Sequence, residues 1–160
     1  MRLSYRWLDA LVGLKDLPAE EIAKRLTFHT AEVEGVERAG EGLAGVVTGR
    51  VTAVRPHPNA DRLRLCTVDL GDGSAPEVVC GAPNVAEGQV ICYAPVGVSL
   101  PNGVKLKKAK IRGVESLGMI CAEDELGLGE GHAGIIVLPE DTAIGQPVAE
   151  VLGAKDDVLV

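Results

Sequence analysis

Five cations stand within eight residues of this sequence: Lys105, Lys107, Lys108, Lys110 and Arg112. Like charges this close repel one another unless an anion lies over them, so the chemistry they suit is polyanion binding. Alternation along a strand over 107–112 predicts Lys108, Lys110 and Arg112 on one face, with Ala109 and Ile111 on the other, toward a core. Cations on such a face contact phosphates, which supply affinity but little base discrimination. The plainer alternative is a solubilising face, or lysines that guard a sheet edge. A second basic group surrounds Pro56-His57-Pro58-Asn59-Ala60-Asp61. The two prolines fix φ and remove backbone donors, and Asn59 and Asp61 favour tight turns. This predicts a rigid loop presenting Arg55, His57 and Arg62, with Arg64 close by, or else a turn with purely structural duties. Ser116 offers one more polar contact, unless it belongs to a strand bend at Gly118.

Other chemistry is poorly provided for. Glu123-Asp124-Glu125 and Glu130-Gly131-His132 bring acids and an imidazole together, but a short acidic run reads as a solvated face. There is no nucleophile elbow, no phosphate-cradling GxxxxGK[ST] loop and no HExxH, so no catalytic residue is expected. Cys66, Cys80, Cys92 and Cys121 form no CxxC pair and have no paired histidines nearby, and His57 has no second ligand close in sequence; no metal site is expected. Four scattered cysteines fit small core residues in a reducing compartment.

The net charge of −7 argues at first against a polyanionic partner. Its distribution argues otherwise. Residues 45–120 carry nine basic against six acidic side chains, leaving seven against seventeen for the rest of the chain. A polyanion is drawn to the middle and repelled by the flanks. No run approaches the ~18 apolar residues of a membrane span, and residues 7–14 are broken by Asp9 and Gly13, unlike a signal peptide. A cytoplasmic location is expected.

The elements that must position these residues come from the periodicity. Ser4 suits the N-cap of a first helix, with Trp7, Leu8, Leu11 and Val12 on one side and Gly13 as its stop. Pro18 suits the first position of a second helix, with Glu20 and Glu21 near its positive end and Ile22, Ala23 and Leu26 as its apolar stripe. Residues 32–37 alternate as a strand. Ala39-Gly40-Glu41-Gly42 marks a boundary. Beyond it, short apolar runs predict strands over 46–54, 63–70, 77–80, 89–94, 107–112 and 135–138, with Gly71-Asp72-Gly73-Ser74 as a turn and a short helix after Pro147. The fold class is therefore mainly β: an OB-type five-stranded barrel over 40–150 beside a small N-terminal α/β unit, 1–39. Tyr93 is the sole aromatic residue from 40 to 160. Base stacking, the usual grip of such barrels on single strands, is therefore not favoured, and a phosphate- and shape-reading mode is. Residues 156–160 are strand-like and apolar, as though cut within an element, so a longer protein is expected.

Three ordered stretches carry a resemblance: Arg55-Pro56-His57-Pro58-Asn59-Ala60-Asp61-Arg62-Leu63, Val79-Cys80-Gly81-Ala82-Pro83-Asn84-Val85, and Lys108 through Cys121 followed by Glu125-Leu126-Gly127-Leu128. Over about 43–150 the chain resembles the OB-fold tRNA-binding domain of phenylalanine–tRNA ligase β subunits, some methionyl-tRNA synthetases and free-standing tRNA-binding proteins. Met1-Arg2-Leu3-Ser4-Tyr5-Arg6-Trp7-Leu8 and Ala31-Glu32-Val33-Glu34-Gly35-Val36 look like the start of a bacterial β subunit. The resemblance implies that the helical unit is completed by 151–160 and by chain beyond Val160. It also implies tRNA and the catalytic α subunit as partners, with ATP and magnesium serving only the full enzyme. The ATP-site signatures of both synthetase classes are missing, so these residues need no cofactor and are expected to be inactive alone. Two other readings stay open: a structural or protein-docking OB module, and a free-standing tRNA-binding protein.

Overall fold

Short β-branched runs punctuated by glycine need partners from distant chain, and the ladders that form decide where each strand begins and ends. A computed structural model describes residues 1–14 and 16–160. In chain order the elements are β1 (Leu3–Ser4), α1 (Tyr5–Val12), α2 (Ala19–His29), β2 (Val36–Ala39), β3 (Val47–His57), β4 (Ala60–Asp69), β5 (Glu77–Cys80), β6 (Val90–Pro95), β7 (Ala109–Ile111), β8 (Val114–Ser116), β9 (Gly118–Ile120), β10 (Val137–Leu138), α3 (Val148–Val151) and β11 (Asp156–Leu159). They fall into two units: Met1–Glu41 with Leu152–Val160, and Gly42–Val151. None of the helices is long and apolar enough to cross a membrane, among the described residues.

In the smaller unit, Ser4 caps α1 by accepting a hydrogen bond from the Trp7 N–H (3.0 Å), and its own hydroxyl donates to Asp156. Gly13 ends the helix at φ 65°. α2 begins one residue later than its proline suggested, with Pro18 in the cap position. The apolar side of α1 does not become core: Trp7, Leu11 and Val12 are all exposed. The strand expected over 32–37 also moves. β2 spans Val36–Ala39, because its register is set by antiparallel pairing with β11, Leu159 opposite Val36 and Asp156 opposite Ala39. β1 pairs with the other edge of β11, so the three-stranded order is β1-β11-β2.

The larger unit is an OB-type barrel. β3 pairs with β4 on one side and β6 on the other, and β5 adds to β4. The chain then returns along the free edge of β5, where the Leu117 N–H donates to the Glu77 carbonyl (3.0 Å), and β9 pairs with β6 to complete the circuit. The barrel is nearly closed, which leaves little open sheet edge to recruit other chains. β10 lies on the outer edge of β6. The core gathers Val51, Cys66, Val68, Val78, Cys80, Ile91, Tyr93, Ile120 and Ile135. All four cysteines are free and buried. Burial pushes the Cys92 thiol up to about 12 and raises that of Cys121, as apolar surroundings disfavour a thiolate.

The closing bend depends on one glycine. Gly118 adopts φ 139°, and a Cβ there would lie 2.5 Å from the Ala94 carbonyl oxygen and 2.6 Å from the Tyr93 ring. A side chain has no space at that position, and the backbone conformation is one that L-residues avoid.

Candidate nucleic-acid interface

The basic cluster is spread over a turn and a ribbon rather than one barrel strand. Residues 97–106 fold back on themselves, with Leu100 N–H donating to the Val104 carbonyl and Leu106 N–H to the Val98 carbonyl (both 2.8 Å), and Lys105 projects from this loop. Lys107 and Lys108 lead into β7, which carries Lys110. Arg112-Gly113 forms a two-residue turn into β8, with φ 50° and 90° at its two positions. Positive φ at both residues gives the mirror-image turn whose twist matches a β-ribbon.

The expected strand over 107–112 therefore shrinks to Ala109–Ile111, and its two-faced pattern fails. Ala109 is exposed and Ile111 only half-buried. The reason is topological: β7 pairs with β8 alone, in a two-stranded sheet separate from the barrel sheet, so the ribbon has no core side for Ala109 to meet. Arg112 leaves the line of Lys108 and Lys110 because it sits in the turn itself.

The charges nevertheless remain available. Lys108 pairs with Glu115 (3.0 Å), an exposed ion pair of little energetic consequence that a phosphate can displace. The side chains of Lys105, Lys107, Lys110 and Arg112 are exposed and have no carboxylate or hydrogen-bonding partner among the described residues.

The upstream arginines part company. Arg55 lies opposite Leu65 and ion-pairs with Glu77. Arg64 lies opposite Pro56 and so points to the other face of the sheet, together with Arg62 by alternation. That face continues the line of the buried Cys66 and Val68 out of the barrel. There Arg62 and Arg64 border a notch of about 350 Å³ with Asp61, Gly81, Ala82 and Pro83. Arg62 has no partner among the described residues, and Arg64 makes one long contact to the Asp61 carbonyl (3.5 Å). The expected joint presentation of Arg55 and Arg62 does not form.

His57 and Ser116 are not surface groups. His57 is 5% exposed: its Nδ1 accepts from the Asn59 N–H (3.0 Å), and its Nε2 donates to the Ile111 carbonyl (2.9 Å). A backbone N–H can only donate and a carbonyl only accept, which fixes the ring as the Nε2–H tautomer. Ser116 is 3% exposed; its hydroxyl accepts from the Val79 N–H (3.1 Å) and donates to the Gly118 carbonyl (3.0 Å), tying β5 to the β8–β9 bend. Tyr93, also buried, donates its phenolic O–H to the Leu117 carbonyl. The barrel's one aromatic ring is thus spent on the core and offers no face to a base.

What remains exposed is a basic ribbon, a basic turn and an arginine-lined notch on a nearly closed barrel. The family described as "Putative tRNA binding domain" matches residues 46–147. The chain belongs to that family. Over nearly all its length it is also similar to phenylalanine–tRNA ligase β subunits: 48% identical to that of Geobacillus kaustophilus over 99% of this chain and 20% of the relative, 51% to that of Salinibacter ruber over 96% and 20%, and 49% to that of Anaeromyxobacter dehalogenans over 100% and 20%. The chain spans about a fifth of the length of these curated relatives.

Within this tRNA-binding domain, two residues have roles that sequence reasoning missed. Asn59 is more than a turn former: its side-chain amide donates to the Arg112 carbonyl (2.9 Å). Arg50, counted among the cations, is committed to the Gly88 and Glu140 carbonyls (both 2.9 Å) and staples the barrel. Arginine's fork of donors suits such capping of loose carbonyls, but no local pattern marks a contact with partners 38 and 90 residues away.

Proposed function

We propose that this chain is a non-catalytic, tRNA-holding portion of a phenylalanine–tRNA ligase β subunit. It acts in the cytoplasm and works with the catalytic α subunit through chain outside these 160 residues. ATP and magnesium serve the full enzyme. The observation that carries the reading is the set of four uncompensated cations at Lys105, Lys107, Lys110 and Arg112, in a protein that is otherwise strongly acidic. With Tyr93 buried, recognition falls to phosphates and to the shape of a folded RNA.

The test is binding of tRNA to the 160-residue chain as a function of salt. Four phosphate contacts release four sets of counterions, so log K falls against log salt with a slope of about −3 to −4. Binding that ignores salt, or no binding at low salt, defeats the reading.

A further inference from the structure

The two basic tips of the barrel are bonded to each other, and both bonds end at the most strained point of the ribbon. His57 holds the carbonyl of Ile111, and Asn59 holds the carbonyl of Arg112. Arg112 adopts φ 50°, a conformation that a residue with a Cβ disfavours and for which asparagine or glycine is the ordinary choice in this turn. The strain is therefore held in place by the neighbouring hairpin, and what it places at the tip is a guanidinium without a partner. His57 itself is held by the Asn59 N–H, so one residue of the β3–β4 turn anchors both the ring and the ribbon.

We propose that His57 and Asn59 are positioning residues for RNA binding, which fix the β7–β8 ribbon so that Lys110 and Arg112 meet phosphates already in place. This rests on the tRNA reading above. A free two-stranded ribbon is marginally stable, and ordering it on contact would be charged against the binding energy. With the ribbon anchored to the barrel, that ordering is done during folding.

Four substitutions in the 160-residue chain test this against tRNA. Asn59→Ala removes the bond to Arg112 and leaves every cation. It is expected to weaken binding roughly fivefold to tenfold at fixed salt, with the salt slope unchanged and with faster amide exchange confined to β7 and β8. His57→Phe gives the same result, and His57→Gln, which keeps an N–H near the Nε2 position, recovers most of the loss. Arg112→Asn moves the two readouts in opposite directions: it raises the melting temperature by suiting the turn, yet weakens binding and lowers the salt slope by about one. If the parent binds with the expected salt dependence while Asn59→Ala and His57→Phe bind equally well despite a loosened ribbon, the positioning role is overturned and the tRNA reading stands. If the parent shows no salt-dependent binding, both fall together.

Discussion

Replacing Lys105, Lys107, Lys110 and Arg112 together by glutamine is expected to lower tRNA affinity by on the order of a hundredfold to a thousandfold at 0.1 M salt, and to flatten the salt slope by three to four units. Glutamine keeps much of each stem and removes the charge. All four residues are exposed, so the fold should be unaffected; thermal melts of parent and variant should coincide within a few degrees. The single change Lys108→Gln should matter less, because Glu115 already holds that ammonium. Arg55→Gln should matter least: its guanidinium is paired with Glu77 on the face opposite Arg64. A variant series in which Arg55 dominates would move the interface away from the basic ribbon and sink this assignment. Filter binding or anisotropy at several salt concentrations separates these outcomes.

Gly118→Val is expected to abolish cooperative folding of the barrel. The added Cβ alone meets the Ala94 carbonyl, the Tyr93 ring and the Tyr93 hydroxyl at 2.5, 2.6 and 2.8 Å. Ala94 and Tyr93 are buried in β6 and cannot retreat without opening the β6–β9 pairing that closes the barrel. The penalty should exceed about 4 kcal/mol, a large part of the 5–15 kcal/mol that keeps a domain folded. Gly103→Ala is the control: its φ of 86° is also positive, but a Cβ there meets nothing within 4 Å, so the cost should stay near 1 kcal/mol. Urea unfolding followed by circular dichroism reads both. A Gly118→Val protein with near-parental stability would show that the bend is not held as described.

The contrast between these two sites marks what sequence could and could not disclose. The strands at 46–54, 63–70, 77–80 and 89–94 were legible because their apolar runs are bounded by strong turn residues. The barrel class followed from their number and spacing. Ser4 and Gly13 were legible because caps are local chemistry. The ribbon was not: Lys107 through Arg112 alternates like a barrel strand, and only the pairing of β7 with β8 alone shows that it lies outside the barrel sheet. Arg55 and Arg62 lie close in sequence, yet β-pleat parity sends them to opposite faces once the β3–β4 register is set. His57 looked like a ligand-facing group because it sits in a proline-stiffened turn; its true partner, the Ile111 carbonyl, is 54 residues away. By type and position Ser116 suits either a contact or a bend, and its two hydrogen bonds assign it to the bend. The bare side of α1 reverses the usual inference from an amphipathic stripe: periodicity reports which side is apolar, not whether a partner is at hand.

The central strand of the small sheet leaves the ribosome after both of its neighbours. Leu3 must wait for Leu159, and Ala39 for Asp156, so neither β1 nor β2 has a partner until the barrel has been synthesised. By then the barrel can hold its own two ends together, with Thr48 N–H donating to the Gln146 carbonyl (2.8 Å) and Val148 N–H to the Val46 carbonyl (3.0 Å). A folded barrel shortens the span that β2 and β11 must close from about a hundred flexible residues to about fifteen, easing closure by about 2 kcal/mol. Translation thus delivers the parts in the order that favours assembly, and a nascent chain whose barrel fails loses its nearest route to the small sheet as well.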